Sequence, residues 1–180
     1  MVTAGIINRG KNIELLLECL PEIGATTNNI YLLIVGDASM EADFQYLSFL
    51  KNMAKSLGIN DRVGFAGWVE KEELWKIFHG ADLFILPSKS EGMPNVMLEA
   101  LGCGLPCLGS DIPGIKDILG CNQLIFDAKD KKTLVNKIHN YFNDSHICYE
   151  IKKLCQERKK MFEFDWKGKV FQSVAFSHRS

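Results

Sequence analysis

Short apolar runs alternate along this chain with longer stretches whose apolar positions recur every three or four residues. The runs fall at 2–7, 31–35, 63–65, 83–86, 105–108 and 124–126. Most of them end in Gly, Pro or Asp, as short buried strands of a parallel sheet do. Between them the spacing is helical. Ile13, Leu16, Leu17 and Leu20 share a face in a helix opening at Lys11, and Pro21 and Gly24 are expected to stop it. Phe44, Leu47, Leu50, Ala54 and Leu57 do the same over 41–57, with Gly58 as the stop. Shorter helices are expected over 71–78, over 94–101 and up to Leu119. Leu134, Ile138 and Tyr141 mark a helix over 131–142, and two closing helices are expected over 144–162 and 166–176.

A strand–helix unit repeated about six times predicts an α/β, Rossmann-like three-layer sandwich, with about six parallel strands and helices on both faces. Ligands on such sheets bind beyond the carboxyl ends of the strands. The loops that matter are therefore 8–11, 36–39, 67–69, 88–94 and 110–115.

Composition narrows the classes. The chain has 180 residues, 47% apolar and 24% charged, with a formal net charge of -1. That is ordinary globular composition, and it gives no basic footprint for nucleic acid. The one basic run, 152–160, is broken by Leu154, Cys155 and Glu157 and reads as a solvated helix face. Six cysteines form no Cys-x-x-Cys pair and read as free, mostly buried thiols of a reducing cytosol. No apolar stretch approaches the ~18 residues that span a bilayer, and the start has no signal-peptide pattern.

The stretch 88–110 concentrates the candidate chemistry. It reads Ser-Lys-Ser-Glu-Gly-Met-Pro, then an apolar helix carrying one acid, Glu99, then Gly-Cys-Gly-Leu-Pro. Pro94 suits a first helical position. Met93, Val96, Met97, Ala100 and Leu101 form one apolar face, so the helix is expected to be deeply buried, with Met93 and Met97 as core packing. Glu99 is the exception, and its alternatives are a ligand's hydroxyls or a neighbouring Lys or Arg. Glu91 complements the helix dipole or touches a polar ligand held at the same end. The N–H groups of Gly92, Met93, Asn95 and Val96 are placed to hold phosphate.

With these flanks, Glu91 and Glu99 eight positions apart resemble the signature of the retaining GT-B glycosyltransferases, the glycosyl transferases group 1 family. The resemblance runs along most of the chain. Gly5, Lys11 and Leu16-Leu17 look like its opening strand, loop and helix, and 33–37 and 81–84 like two of its later strands. Residues 62–69 resemble its Val-x-Phe-x-Gly-x-Val segment, 111–115 lie where it has a Gly-Gly turn, and Phe164-Asp165-Trp166 resembles its late Phe-Ser-Trp.

The resemblance implies the C-terminal half of a GT-B fold. Residues 1–163 would be the nucleotide-sugar domain, and 164–180 a helix crossing back to an N-terminal domain that binds the acceptor and is missing here. It implies that Glu99 holds ribose hydroxyls and that Glu91 and Lys11 are catalytic, beside the donor sugar and on the diphosphate. Backbone N–H groups of Gly92, Met93, Asn95 and Val96 would hold sugar and diphosphate, and Gly67, Trp68 and Val69 would lie against the base. The donor would be a UDP- or GDP-type nucleotide-sugar, with no metal and no further cofactor. The acceptor would be a glycan or lipid-linked saccharide in polysaccharide, lipopolysaccharide or glycoconjugate synthesis. Localisation would be cytoplasmic, peripheral at the inner membrane face in the full-length enzyme. Ile6 stands where the family has a diphosphate arginine, which leaves Arg9 and Lys89 as substitutes. The alternatives to a transferase are a non-catalytic nucleotide-sugar-binding subunit and a GT-B sugar-nucleotide epimerase.

Overall fold

The computed structural model describes residues 1–27 and 29–162. The segment 164–180 and the helix expected over 166–176 lie outside the described residues.

Six parallel strands form one sheet: β1 (Val2–Ala4), β2 (Leu32–Val35), β3 (Val63–Gly67), β4 (Phe84–Leu86), β5 (Cys107–Ser110) and β6 (Ile125–Phe126). Their order is β3-β2-β1-β4-β5-β6. That order reverses direction between β1 and β4, which separates the fold from a flavodoxin-like sheet and fixes its switch point there. The helices are α1 (Ile13–Thr26), α2 (Glu41–Ser56), α3 (Lys71–Gly80), α4 (Asn95–Gly102), α5 (Pro113–Leu119), α6 (Lys131–Asn143) and α7 (Ser145–Phe162). Right-handed crossovers place α1 and α2 on one face and α3, α4 and α5 on the other. The packing agrees: α1 rests on α2 and α6, whereas α4 rests on α3, α5 and α7.

The strands are apolar because both faces are covered. Leu83, Phe84, Ile85 and Leu86 are fully buried in β4 and its lead-in, as are Cys107 and Leu108 in β5. Leu17, Leu20 and Ile23 of α1 complete the core on one face, Met97 and Ala100 of α4 on the other.

Several expectations are corrected. Pro21 does not end α1. The helix runs through it to Thr26, although a proline costs the bond to the carbonyl four residues back. Burial of Leu20 and Ile23 on either side of Pro21 outweighs that loss. Nor does α1 open at Lys11. Arg9–Lys11 form a 3-10 turn, and Asn12 turns the chain through a left-handed conformation, φ 54°, before Ile13. Pro94 is the residue before α4 rather than its first turn, with extended ψ of 93°. Met93 is 66% exposed and is not core, whereas Met97 is buried. Val96, Leu98 and Glu99 are only half-buried, so α4 is less enclosed than its apolar circumference predicts. β1 stops at Ala4, shorter than its apolar run, and β5 runs from Cys107 to Ser110, two residues later than its own. Of the six free thiols, Cys19, Cys107 and Cys155 are buried and Cys103, Cys121 and Cys148 partly exposed.

Candidate functional site

The carboxyl ends of β1, β2 and β3 open onto a cleft of about 430 Å³. Its floor is backbone. Gly5 and Gly36 both have positive φ, 137° and 123°. A Cβ on Gly36 would fall 1.9 Å from the carbonyl oxygen of Gly5, so only glycine permits the contact. Peptide hydrogen bonds tie this floor together. Gly5 N–H donates to Val35 O (3.0 Å) and Gly36 N–H to Gly67 O (2.8 Å). The pairing of β2 with β3 slips between Ile34 and Val35, and this irregularity carries the chain out at Gly67.

One wall is the loop after β3, with Trp68 and Val69. The other is the first turn of α4, with Asn95, Val96 and Glu99. Trp68 is 67% exposed, a large aromatic surface left uncovered beside a carboxylate. Glu99 meets the Lys71 ammonium at 3.6 Å, a loose rim contact worth little in water. No side chain caps α4. Its first N–H groups have no partner within the helix, and Asn95 and Val96 border the cleft. Ile6 stands at the cleft as well, 55% exposed.

Beside the cleft, at the switch point, the loops after β1 and β4 meet. Lys11 Nζ lies 2.5 Å from Glu91 Oε1, with both side chains largely covered. The Lys11 stem crosses under Gly5, whose Cβ would come 3.3 Å from Lys11 Cε. Ser88 Oγ donates to the same Glu91 oxygen at 2.7 Å, and Ser110 Oγ donates to the Ser88 carbonyl at 2.5 Å. Both serines are fully buried. Gly114 backs the loop, because a Cβ there would fall 1.8 Å from the Gly92 carbonyl oxygen.

A further polar group anchors the first turn of α1. The Tyr46 hydroxyl donates to Glu14 Oε2 and accepts from the Ile13 N–H at 3.1 Å, and Lys89 Nζ lies 3.0 Å from Glu14 Oε1. Burial pushes the Glu14 carboxyl up, but the bonds from Tyr46 and Lys89 outweigh it and hold the group below its ordinary value. Burial and the Glu14 bond push the Tyr46 phenol up.

Of the residues singled out from sequence, the structure thus brings Glu99, Asn95, Val96, Trp68 and Val69 to one cleft. Gly67 lies just behind it in β3. Lys11 and Glu91 pair beside it, with Gly92 and exposed Met93 following in the loop. Arg9 stands apart, its guanidinium 5.3 Å from the Tyr46 ring centre and 5.7 Å from that of Phe49. Lys89, the other candidate for the arginine's place, is held by Glu14. Ser110, Glu14 and Tyr46 had no sequence signal of their own, since each acts across 22 residues or more, and Ser88, though in the singled-out loop, carries no motif that marks its bond to Glu91.

A model of the family described as glycosyl transferases group 1 matches residues 1–161. The chain belongs to that family. Among curated relatives, the mannosylfructose-phosphate synthase of Agrobacterium fabrum is 28% identical over 148 residues, 81% of this chain and 32% of that protein. The O-antigen biosynthesis glycosyltransferase WclY of Escherichia coli is 26% identical over 153 residues, 84% of this chain and 40% of its own length. The chain therefore spans roughly a third of these relatives. Solved structures share the fold. The crystal structure of HepE from Anabaena in complex with UDP superposes with a TM-score of 0.79 at 21% identity, over 98% of this chain and 48% of that one. The sucrose-phosphate synthase of Thermosynechococcus elongatus does so with 0.79 at 24% identity, over 99% of this chain and 44% of that one. The described part of this group 1 chain is thus a Rossmann-like unit of the GT-B type. Among the described residues no helix is long and apolar enough to cross a membrane.

Proposed function

We propose that this chain is the nucleotide-sugar-binding part of a glycosyltransferase that moves a hexose from a nucleoside diphosphate to an acceptor with retention of configuration. One observation carries the reading. Glu99 and the Trp68–Val69 loop line one glycine-floored cleft, and the Lys11–Glu91 pair stands beside it, the Lys11 stem against Gly5. A nucleoside laid in that cleft has a carboxylate for its ribose hydroxyls and an aromatic wall for its base. Its diphosphate then reaches the uncapped first turn of α4 and the Lys11 ammonium.

In the transfer, the bond between the anomeric carbon and the diphosphate oxygen breaks, and the oxygen leaves with the electron pair; an acceptor hydroxyl oxygen bonds to the anomeric carbon on the same face, and its proton passes to the departing diphosphate. Lys11 offsets that charge in a covered site, where a fixed cation is worth more than in water. Diphosphate competes with Glu91 for Lys11, and Glu91 is then free to face the donor sugar. The donor is of UDP or GDP type, no metal or other cofactor takes part, and the acceptor is a glycan or lipid-linked saccharide. Similarity to an O-antigen glycosyltransferase supports polysaccharide synthesis as the setting.

Isothermal titration with UDP and GDP tests the donor reading. One of them is expected to bind with a Kd below about 1 mM, and Glu99→Ala to weaken it at least about tenfold. No heat from either nucleotide, or an unchanged Kd in Glu99→Ala, would sink it. The anomeric configuration of a transferred sugar, read by NMR, tests retention.

A further inference from the structure

The six carboxyl ends of the sheet divide three and three. Those of β1, β2 and β3 line the cleft just described. Those of β4, β5 and β6 line a second cavity, of about 620 Å³, formed by Lys89, Asp111, Ile112, Asp127, Ala128 and Lys129. One loop, 88–94, separates the two spaces. Lys89 faces the second cavity, whereas Glu91, two residues on, belongs to the Lys11 pair. The loop's far side is fastened to the second cavity's wall. Ser110 Oγ holds the Ser88 carbonyl at 2.5 Å, and the adjoining Asp111 N–H donates to Phe126 O at 2.7 Å.

The lining has a definite character. Its charges cancel, two lysines against two aspartates, and several are already engaged. Lys89 lies 3.0 Å from Glu14 and Asp111 2.6 Å from Lys116. Asp127 Oδ1 accepts from the Lys129 N–H at 2.8 Å. A diphosphate or a polycation would meet no net opposite charge. A polyhydroxyl ligand would meet acceptors, donors and, in Ile112 and Ala128, a small apolar floor for the C–H face of a pyranose ring.

We infer that the cavity lined by Lys89, Asp111, Ile112, Asp127, Ala128 and Lys129 is a binding site for a neutral sugar unit of the acceptor, set across the 88–94 loop from the donor cleft. This rests on the donor reading above for the words donor and acceptor, but the cavity and its lining do not depend on it.

Amide shifts in two-dimensional NMR of the 180-residue chain test it, with UDP, UDP-glucose and the methyl α-glycosides of glucose and mannose as separate probes. At least one glycoside, raised to about 50 mM to saturate a millimolar site, should move Lys89, Asp111, Ile112, Ala128 and Lys129 in the UDP-loaded chain. Asp127→Ala should weaken that binding about tenfold or more, and Ala128→Trp should abolish it by filling the floor, both with UDP affinity unchanged. Cavity amides unmoved by both glycosides overturn the inference. So do cavity amides moved by UDP-glucose but not by UDP, since the space would then hold the donor's own sugar. UDP that fails to move Trp68 and Val96 strikes the donor reading instead, and glycoside shifts at the cavity would still report a sugar site.

Discussion

The two ends of the sheet make an instructive pair. The amino end carries a space of about 610 Å³, between the starts of β1, β2 and β3 and the end of α3. The carboxyl-end cleft is smaller, about 430 Å³. Size alone would choose the amino-end space over this cleft, although the second carboxyl-end cavity is just as large, about 620 Å³. The amino-end lining sets Asp61, Arg62, Asp82 and the Met1 ammonium among strand backbone and aliphatic side chains, but among the described residues no salt bridge joins Asp61, Arg62 or Asp82 to a partner there. At the carboxyl end, four loops converge, a carboxylate faces an exposed indole, and a covered Lys–Glu pair stands alongside. Convergent polar groups, rather than volume, distinguish a binding cleft from a packing gap. Parallel strands produce that convergence at one end only, where successive helices begin.

The glycines give the sharpest way to break this comparison. Gly36 has no room for a Cβ, whereas Gly58, at the end of α2 with φ 65°, has nothing within 4 Å. Gly36→Ala should cost roughly 3 kcal/mol or more, by strain and by collision with a neighbouring strand, and Gly58→Ala only about 1 kcal/mol. Urea unfolding of the two variants measures the gap. Equal losses would mean the close approach of β1 and β2 is not required.

Next in size is charge. Lys11→Met should weaken UDP binding about tenfold or more, the scale of a lost charge-assisted bond. Arg62→Met, at the amino-end space, should leave it unchanged. The reverse result in titration would move the site to the other end of the sheet. Ser110→Ala should destabilise the chain by about 1 kcal/mol, a single buried hydrogen bond, through loss of its hold on Ser88.

The smallest effect is in pH. Glu14 sits below its ordinary value of 4.5, so between its folded pKa and 4.5 the unfolded chain binds more protons. Its contribution to stability is complete above that window and is lost as pH falls through it. Tyr46→Phe should make the loss of stability below about pH 4.5 shallower, as seen in thermal melts at successive pH values.

Much of this was legible in the chain. The apolar runs and the three-to-four spacing gave six strands and the helices between them, because both signals come from burial on known faces. What burial overrules was not legible. Pro21 reads as a stop, and only the packing of α1 between α2 and α6 shows why it is not. Met93 reads as core because its spacing continues a helix that starts two residues later. In the site, Glu91 and Glu99 were visible through their flanks. The partner that Glu91 takes was not, since Lys11 is 80 residues away. The second serine, Ser110, carries no motif, and its role comes from the neighbouring position of β4 and β5 in the sheet.

The contact between Gly5 and Gly36 has one more consequence. Where two main chains touch, the bottom of the cleft offers a visitor only peptide groups, and no substitution there can redecorate it without breaking it. The floor is a fixed gauge, the same depth for any ligand. On the proposed donor reading, discrimination between one base and another is left to the two side-chain walls, Trp68 on one side and α4 on the other. Selection for a new donor has those two walls to work on.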